Sequence, residues 1–319
     1  MRILIWHVHG SWTTAFVQGE HTYLVPVTPG RDADGRGRAR TFSWPANAVE
    51  VEPDQLRDEH VDVVVLQRPH ELELAEKWLG RRPGTDVPAV YVEHDTPRGE
   101  AVRTRHPTAH RSDITLVHVT HFNQLYWDSG RAPNTVIEHG IVDPGYRYTG
   151  HIPHIGVVIN EPVRRSRITG SDLLPQFTAA APVDLVGMRV SGAGKWLADD
   201  RINSYEDLPQ QQMHTELAAR RVYLHPYRWT SLGLALLEAM HLGMPVVAVA
   251  ATEAAETIPP GAGVVSTRLT VLVEAISAFI ADPERARQAG IEARRAAKER
   301  YSLERFLSAW NDLLEEVVR

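Results

Sequence analysis

The sequence predicts an α/β fold of two Rossmann-like, doubly wound parallel-sheet domains. Three observations predict it. Short apolar runs of strand length alternate with stretches of helical periodicity through most of the 319 residues, and that alternation argues for parallel strands joined by helical crossovers. The pattern breaks near Gly150–Pro153 and restarts at Ile155, giving two halves of ordinary domain size. The stretch from Val222 to Val249 reads as one complete strand–helix–strand unit.

That unit carries its own punctuation. Val222-Tyr-Leu-His225 is an apolar run of buried-strand type. Thr230 or Ser231 offers a helix N-cap. Leu232, Leu236, Leu237 and Met240 recur at helical spacing. Gly243 stands where a C-cap glycine belongs, and Pro245 stops the helix before Val246-Val-Ala-Val249. A helix mouth after a tight turn presents free backbone N–H groups and the positive end of the helix dipole, which suits a phosphate. Gly233 leaves room for a ligand to approach the backbone. Glu238 lies one turn beyond Leu234, where a carboxylate accepts hydrogen bonds from the ribose of a nucleotide. An isolated glutamate on such a helix would read as a solvated surface acid, and the phosphate mouth beside it favours the ribose role.

In the first half, Arg2-Ile-Leu-Ile-Trp6 is a buried strand running into a turn at Gly10, with a short helix over Thr13–Gln18. Tyr23–Val27, Asp62–Leu66, Val87–Val92, Ile114–His118 and Thr135–Glu138 read as further strands. Pro69–Leu79 and Asn123–Ser129 read as helices, the first with Pro at its opening position. The Gly-, Arg- and Asp-rich stretch Gly30–Arg40 reads as an exposed, mobile loop. The second half opens with strand Ile155–Ile159, then a basic turn Arg164-Arg-Ser-Arg167 and a helix Ser171–Ala180. Strand Val183–Val186 ends at Gly187 and is followed by a polar segment. Helices over Gln211–Arg220, Leu269–Ala281, Pro283–Glu299 and Tyr301–Val318 complete the pattern, the last with an apolar stripe of Phe306, Trp310, Leu313 and Leu314.

Composition narrows the function classes. Hydrophobic residues make up 43% and charged residues 23%, as in soluble globular proteins. No run approaches the roughly 18 apolar residues of a membrane helix, and the N-terminus lacks the form of a signal peptide. With no cysteine there is neither disulfide nor thiolate metal site, and a cytoplasmic location is expected. The net charge of −6 and the absence of aromatic residues within a basic stripe argue against nucleic acid as a partner. The 16 histidines are scattered, and His7-Val-His9 without a carboxylate is a poor metal site, so no metal is expected.

The organising stretch resembles the donor-site signature of GT-B glycosyltransferases, in particular the large retaining family 4, E-G-F-G-L-x-x-x-E-A-x-A-x-G-x-P-V-V. Gly233, Leu234, Glu238, Ala239, Gly243, Pro245, Val246 and Val247 match it. Thr230, Ser231 and Leu232 stand in place of its first glutamate, glycine and phenylalanine. The resemblance implies two Rossmann-like domains facing across a cleft: residues 1–152 for an acceptor, 153–300 for a nucleotide-sugar donor, and a helix 301–319 crossing back to the first. It implies transfer of a sugar from a nucleoside diphosphate sugar to an acceptor that is a sugar, a lipid-linked sugar or a small molecule. Retention of configuration is expected, with no metal or other cofactor, and peripheral membrane contact is compatible with it.

The resemblance also assigns residues. The family's R-x-x-x-x-K-G places Arg164 at its arginine and Thr169 at its lysine, with Arg167 the nearest cation to replace the latter. Such cations would stabilise charge on the departing diphosphate. A charge run of this kind is otherwise a solvated loop. His94, after the strand Val87–Val92, sits where the family has a histidine near the donor sugar, able to donate to a sugar hydroxyl or to the leaving phosphate; its alternative is a structural histidine capping the loop. Gly10 suits backbone approach to diphosphate or acceptor, and Gly187 resembles the turn beside the nucleotide base. His139-Gly140 reads as lining the cleft. Thr230 faces either the sugar or, as N-cap, the backbone. The expected site is therefore His94, Arg164, Arg167 and Thr230 for catalysis, and Gly10, Gly187, Ser231, Leu232, Gly233, Leu234 and Glu238 for the donor. The loss of the first glutamate leaves the alternative of a catalytically impaired protein that still binds the nucleotide sugar, and a sugar-nucleotide epimerase or phosphorylase on the same fold is a third reading.

Overall fold

The computed structural model describes residues 1–319. The chain forms two compact units, Met1–Val142 with Leu303–Arg319, and Asp143–Ser302. The first unit contains β1 (Arg2–Ile5), α1 (Gly10–Phe16), β2 (Thr22–Pro26), β3 (Ala48–Val51), β4 (Val63–Leu66), α2 (Glu71–Leu79), β5 (Ala89–Glu93), β6 (Thr115–His118), α3 (His121–Tyr126) and β7 (Asn134–Val136). Its seven strands are all parallel, in the order β3-β2-β1-β4-β5-β6-β7. The apolar run Val63-Val-Val-Leu66 is buried throughout, as a central parallel strand covered on both faces requires. Leu4, Trp6, Val64, Leu66, Tyr91 and Leu116 belong to the core that packs on this sheet.

The second unit contains β8 (Ile152–Val158), α4 (Ser166–Thr169), α5 (Leu174–Phe177), β9 (Val183–Gly187), α6 (Ala193–Leu197), β10 (Ile202–Glu206), α7 (Gln210–Ala219), β11 (Arg220–His225), α8 (Leu234–Leu242), β12 (Val246–Val249), α9 (Ala254–Thr257), β13 (Gly263–Ser266), α10 (Leu269–Ala281) and α11 (Pro283–Arg300). Its six strands are also parallel, in the order β10-β9-β8-β11-β12-β13. Ile155, Val157, Leu185, Val222, Leu224 and Val247 line its core. The final helix, α12 (Leu303–Val318), belongs to the first unit. There Trp310 packs edge-on against Trp12 and Phe16, with ring centroids 5.7 and 5.0 Å apart. Both sheets reverse their winding direction once, at β1/β4 and at β8/β11, and ligands of doubly wound folds bind at the carboxyl ends of strands at such a point.

Several expectations need correction. The division between units falls after Val142 rather than near residue 152, because 143–150 is bonded to elements of the second unit. Arg147 and Tyr148 N–H donate to Leu242 O, and Thr149 and Gly150 N–H donate to Ala218 O. The Gly30–Arg40 loop is tied down: Arg31 holds Glu50 with two bonds of 2.8 and 2.9 Å, and Arg38 reaches the carbonyls of Trp44, Pro45 and Ala48. The expected helix Ser171–Ala180 is a 3₁₀ turn, Ser171–Leu173, followed by the single turn of α5, with Pro175 at its opening. The polar segment after Gly187 contains the edge strand β10. Pro69 precedes α2, whose N-cap is His70.

Candidate functional site

In the second unit the site is built at the β8/β11 switch point. β11 ends at His225, and the chain runs as a loop until α8 begins at Leu234. Arg228 and Trp229 N–H donate to Ile168 O at 2.9 and 3.2 Å. The Arg228 guanidinium grips Asp172 with bonds of 2.6 and 3.0 Å. On the other side, Glu253 N–H donates to Ser231 O at 3.4 Å. The loop is therefore fixed from both flanks. Its commitment to Ile168 delays the helix, so the N-cap is Gly233 and no side chain caps it. The expected capping by Thr230 or Ser231 is thereby corrected. Thr230 is half-buried, and Ser231 and Leu232 are buried. Within the first turn of α8, Leu236 N–H closes onto Gly233 O at 3.0 Å.

Gly233 has a φ of −74° that any residue could adopt. Its need for glycine comes from below: a Cβ would stand 2.5 Å from His225 Cε1. The buried His225 ring, stacked on Tyr227 at 4.6 Å, is thus a floor for the loop. Burial lowers its pKa to about 3, so it is a neutral platform. Glu238 is only 2% exposed. Gln210 Nε2 donates to one of its oxygens at 3.2 Å, and His214 Nε2 lies 3.3 Å from the other. The solvated-surface alternative for Glu238 is therefore excluded. Gln210 and His214, both on α7, escaped sequence reasoning because their partner lies far along the chain.

The basic turn is only partly as expected. Arg164 is exposed and paired with Glu161, and Arg167 is exposed and 3.1 Å from Asp172. Arg167 and Arg228 therefore share one carboxylate. Thr169, at the lysine position of the resembled motif, is fully buried with its hydroxyl donating to Arg165 O at 3.2 Å. Gly170, at φ +72°, lets α4 close on the β11 loop, since a Cβ there would lie 1.9 Å from Pro226 O. Gly187, at φ +152°, plays the same part between β8 and β9: a Cβ would lie 2.1 Å from Ile159 O. Across that contact Met188 N–H donates to Asn160 Oδ1 at 2.9 Å. The structure thus gathers Arg164, Arg167, Gly187 and the 230–234 loop onto one unit. Arg228 is an addition whose signal, a cation opening the organising stretch, was on view in the sequence.

His94 and Gly10 belong to the first unit. Gly10 opens α1, and the Phe42 ring covers it, a Cβ there lying 2.7 Å from Phe42 Cε2. His94 follows β5 and is buried. Its Nε2 lies 3.1 Å from Gln67 Oε1, its ring is 4.0 Å from that of His9, and Trp12 stands edge-on at 4.9 Å. The loop that bears it is tied by hydrogen bonds. Glu93 is held 2.9 Å from His106 Nε2, Asp95 N–H donates to Glu93 Oε1 at 2.7 Å, and Asn123 and Trp127 donate to Asp95 O. His139, 3% exposed, completes the group, and neither ring nitrogen has a hydrogen-bond partner. Burial, with the nearby imidazoles adding to it, pushes His94 well below the usual histidine value and His139 down to about 3.

Residues 193–296 match the family Glycosyl transferases group 1. No curated protein sequence matches the chain. Among solved structures it is similar to sucrose-phosphate synthase from Thermosynechococcus elongatus, at 14% identity and TM-score 0.74, covering 99% of this chain and 98% of that one. It is similar to HepE from Anabaena in complex with UDP and glucose, at 16% identity and TM-score 0.73, covering 99% and 100%. It is also similar to a glycosyltransferase from Rickettsia africae, at 12% identity and TM-score 0.67, covering 100% and 98%. The chain therefore has the two-unit GT-B fold, and its second unit carries a segment that matches the group 1 glycosyltransferases.

Proposed function

We propose that this chain is a glycosyltransferase that moves a sugar from a nucleoside diphosphate sugar to an acceptor, with retention and without a metal. The observation that carries the reading is the stretch from β11 through α8: it lies inside the segment matching the family and presents an uncapped helix mouth at a switch point. In this reading the diphosphate rests on the α8 mouth, and the Gly187 turn borders the base. Glu238, already a buried acceptor, takes ribose hydroxyls in exchange for or beside Gln210 and His214. Arg164 and Arg167 turn from Glu161 and Asp172 to the charge that builds on the departing diphosphate, where fixed donors matter most. Uridine is the first base to test, because the HepE structure holds UDP and glucose.

The test pairs binding with turnover. Glu238→Ala should weaken binding of the best of UDP, GDP and ADP by about 1.5–3 kcal/mol in calorimetry, with circular dichroism unchanged. Equal affinity for the variant and the wild type would remove the ribose role. A panel of nucleotide sugars, with release of nucleotide as the readout, tests transfer itself. A second reading is favoured by Thr230, whose hydroxyl carries no charge where the resembled signature has a glutamate. It makes the chain a nucleotide-sugar binder that transfers nothing. Binding without turnover in the wild type, with turnover appearing in Thr230→Glu, would select it.

A further inference from the structure

We infer that a cavity at the start of β11, at the opposite end of that strand from the α8 mouth, is a binding site for a small monoanionic carboxylate, with Arg221 as the group that holds it. The cavity measures about 400 Å³, within the range of small-molecule sites. Tyr148, Gly150 and Arg221 form its buried floor, and Thr149 and the first turn of α11 its exposed rim. Arg221 is the second residue of β11, and His225 at the far end of the strand leads into the loop before α8. Four residues of extended strand separate them, about 13 Å. The cavity is therefore distinct from the donor site proposed above, and the inference does not rest on that proposal.

The charges around the cavity select the ligand. Arg221 is 8% exposed, and a guanidinium is a permanent cation that, when buried, is ordinarily paired with an acid. Here Nε donates to Gly150 O at 2.5 Å and Nη1 to Ile280 O at 2.9 Å, and both acceptors are carbonyls. Ile280 belongs to the last turn of α10, whose negative dipole end supplies about half a charge. The acids of the rim are committed to other groups. Asp282 caps α11, its Oδ1 accepting Glu284 and Arg285 N–H at 3.1 and 3.0 Å. Glu284 accepts two bonds from Arg287, of 2.8 and 2.6 Å, and one from Gln288 at 2.8 Å. The rim is balanced, and the cation of the floor is not. A guanidinium carries five N–H groups in a planar fork, more than its two carbonyls use, and a carboxylate meets such a fork with parallel bonds. A phosphate dianion would set a second negative charge against Asp282 and Glu284. The body of the ligand rests on Tyr148, whose hydroxyl donates to Arg221 O at 2.8 Å and fixes the ring as a flat wall. Glycine is required at 150, where φ is +54° and a Cβ would stand 2.3 Å from Tyr148 Oη.

The experiment is ¹H–¹⁵N correlation of the ¹⁵N-arginine-labelled full chain at constant ionic strength, which removes diffuse attraction between charges. The Nε–H signal of Arg221 is identified by its loss in Arg221→Gln. The probes are benzoate, its neutral isostere benzamide, and phenyl phosphate. Benzoate should move the Arg221 signal saturably, and benzamide should bind at least tenfold more weakly. Thr149→Trp fills the cavity from an exposed position of the rim and leaves the floor intact. It should keep the Arg221 signal and the melting temperature of the wild type and lose benzoate affinity tenfold or more, so the test stands even where Arg221→Gln does not fold. UDP should neither move the Arg221 signal nor displace benzoate. A shift that does not saturate, equal binding of benzamide, or unchanged benzoate affinity in Thr149→Trp overturns the site. Tighter binding of phenyl phosphate than of benzoate overturns the ligand class. Displacement of benzoate by UDP overturns the separation from the donor site. Failure of UDP to bind anywhere counts against the proposed function alone, since benzoate binding is read from the same spectra.

Discussion

At the carboxyl edge of the second sheet, Arg164, Arg167 and Arg228 meet Glu161 and Asp172 around glycine turns. At the same edge of the first sheet, the tilted rings of His9 and His94 pack beside Trp12, with His139 close by and Gln67 behind. The winding of the strands is the same in both, with one reversal beside the first strand. Topology therefore settles where each edge opens, and side chains settle what it can hold. Arginines paired with half-buried carboxylates stand at one edge. Buried rings stand at the other, and burial holds His94 and His139 well below the usual histidine value. The second edge needs glycine where backbones cross at close range, whereas the first is filled by rings.

The largest expected effect tests that need for glycine. Gly170→Ala should destabilise the second unit by about 3 kcal/mol or more, because a Cβ at φ +72° would meet Pro226 O at 1.9 Å. Hydrogen exchange should quicken over 143–302 and stay slow in β1, β4 and β5. Equal quickening in both units would show that they unfold together, and the contrast between the edges would lose its energetic basis.

A smaller effect concerns acid. His139 has its pKa lowered from 6.5 to about 3 by burial. Below pH 6.5 the unfolded chain therefore binds a proton that the folded chain refuses, so stability falls as pH drops from about 6.5 toward 3. The loss is on the order of 2 kcal/mol at pH 5. His139→Phe should remove that share of the acid sensitivity, measured by denaturant titration at pH 7.5 and pH 5. A variant as acid-sensitive as the wild type would mean that the ring is solvated and charged at pH 5, contrary to a neutral edge.

The smallest expected effect separates a loop residue from a cap. Thr230→Val should change stability by less than about 0.5 kcal/mol, because the N-cap of α8 is Gly233. A true Thr cap would cost about 1 kcal/mol, and a melting shift of that size would restore Thr230 to the helix.

The parts of the fold legible in the sequence were those with strong punctuation. Gly243 and Pro245 mark the end of α8 and the start of β12, and the apolar runs of β4 and β11 announce buried strands. β10 was hidden because Ile202-Asn-Ser-Tyr-Glu is an edge strand with mostly polar, exposed side chains, and polarity reads as loop. The start of α8 was misplaced because capping propensity is local, whereas the hydrogen bonds of Arg228 and Trp229 to Ile168 are tertiary. Arg164, Arg167, Gly187 and the 230–234 loop were expected from the resembled motifs, and all of them lie in the second unit. Gln67, Gln210 and His214 were not, because each acts on a residue 24 or more positions away and no motif links them.

The segment 143–150 has a practical bearing on any attempt to dissect the protein. Its N–H groups close the last carbonyls of two helices, Ala218 O of α7 and Leu242 O of α8, and Asp143 clamps Arg294 of α11 through two bonds of 2.8 Å. Tyr148 adds a bond from its hydroxyl to Arg221 O at 2.8 Å. A recombinant fragment or chimaera joined at residue 153, where the hydropathy pattern restarts, would strip these helix ends of their partners. A junction placed before Asp143 keeps them, so the covalent seam between interchangeable halves lies about ten residues upstream of the place where the strand pattern resumes.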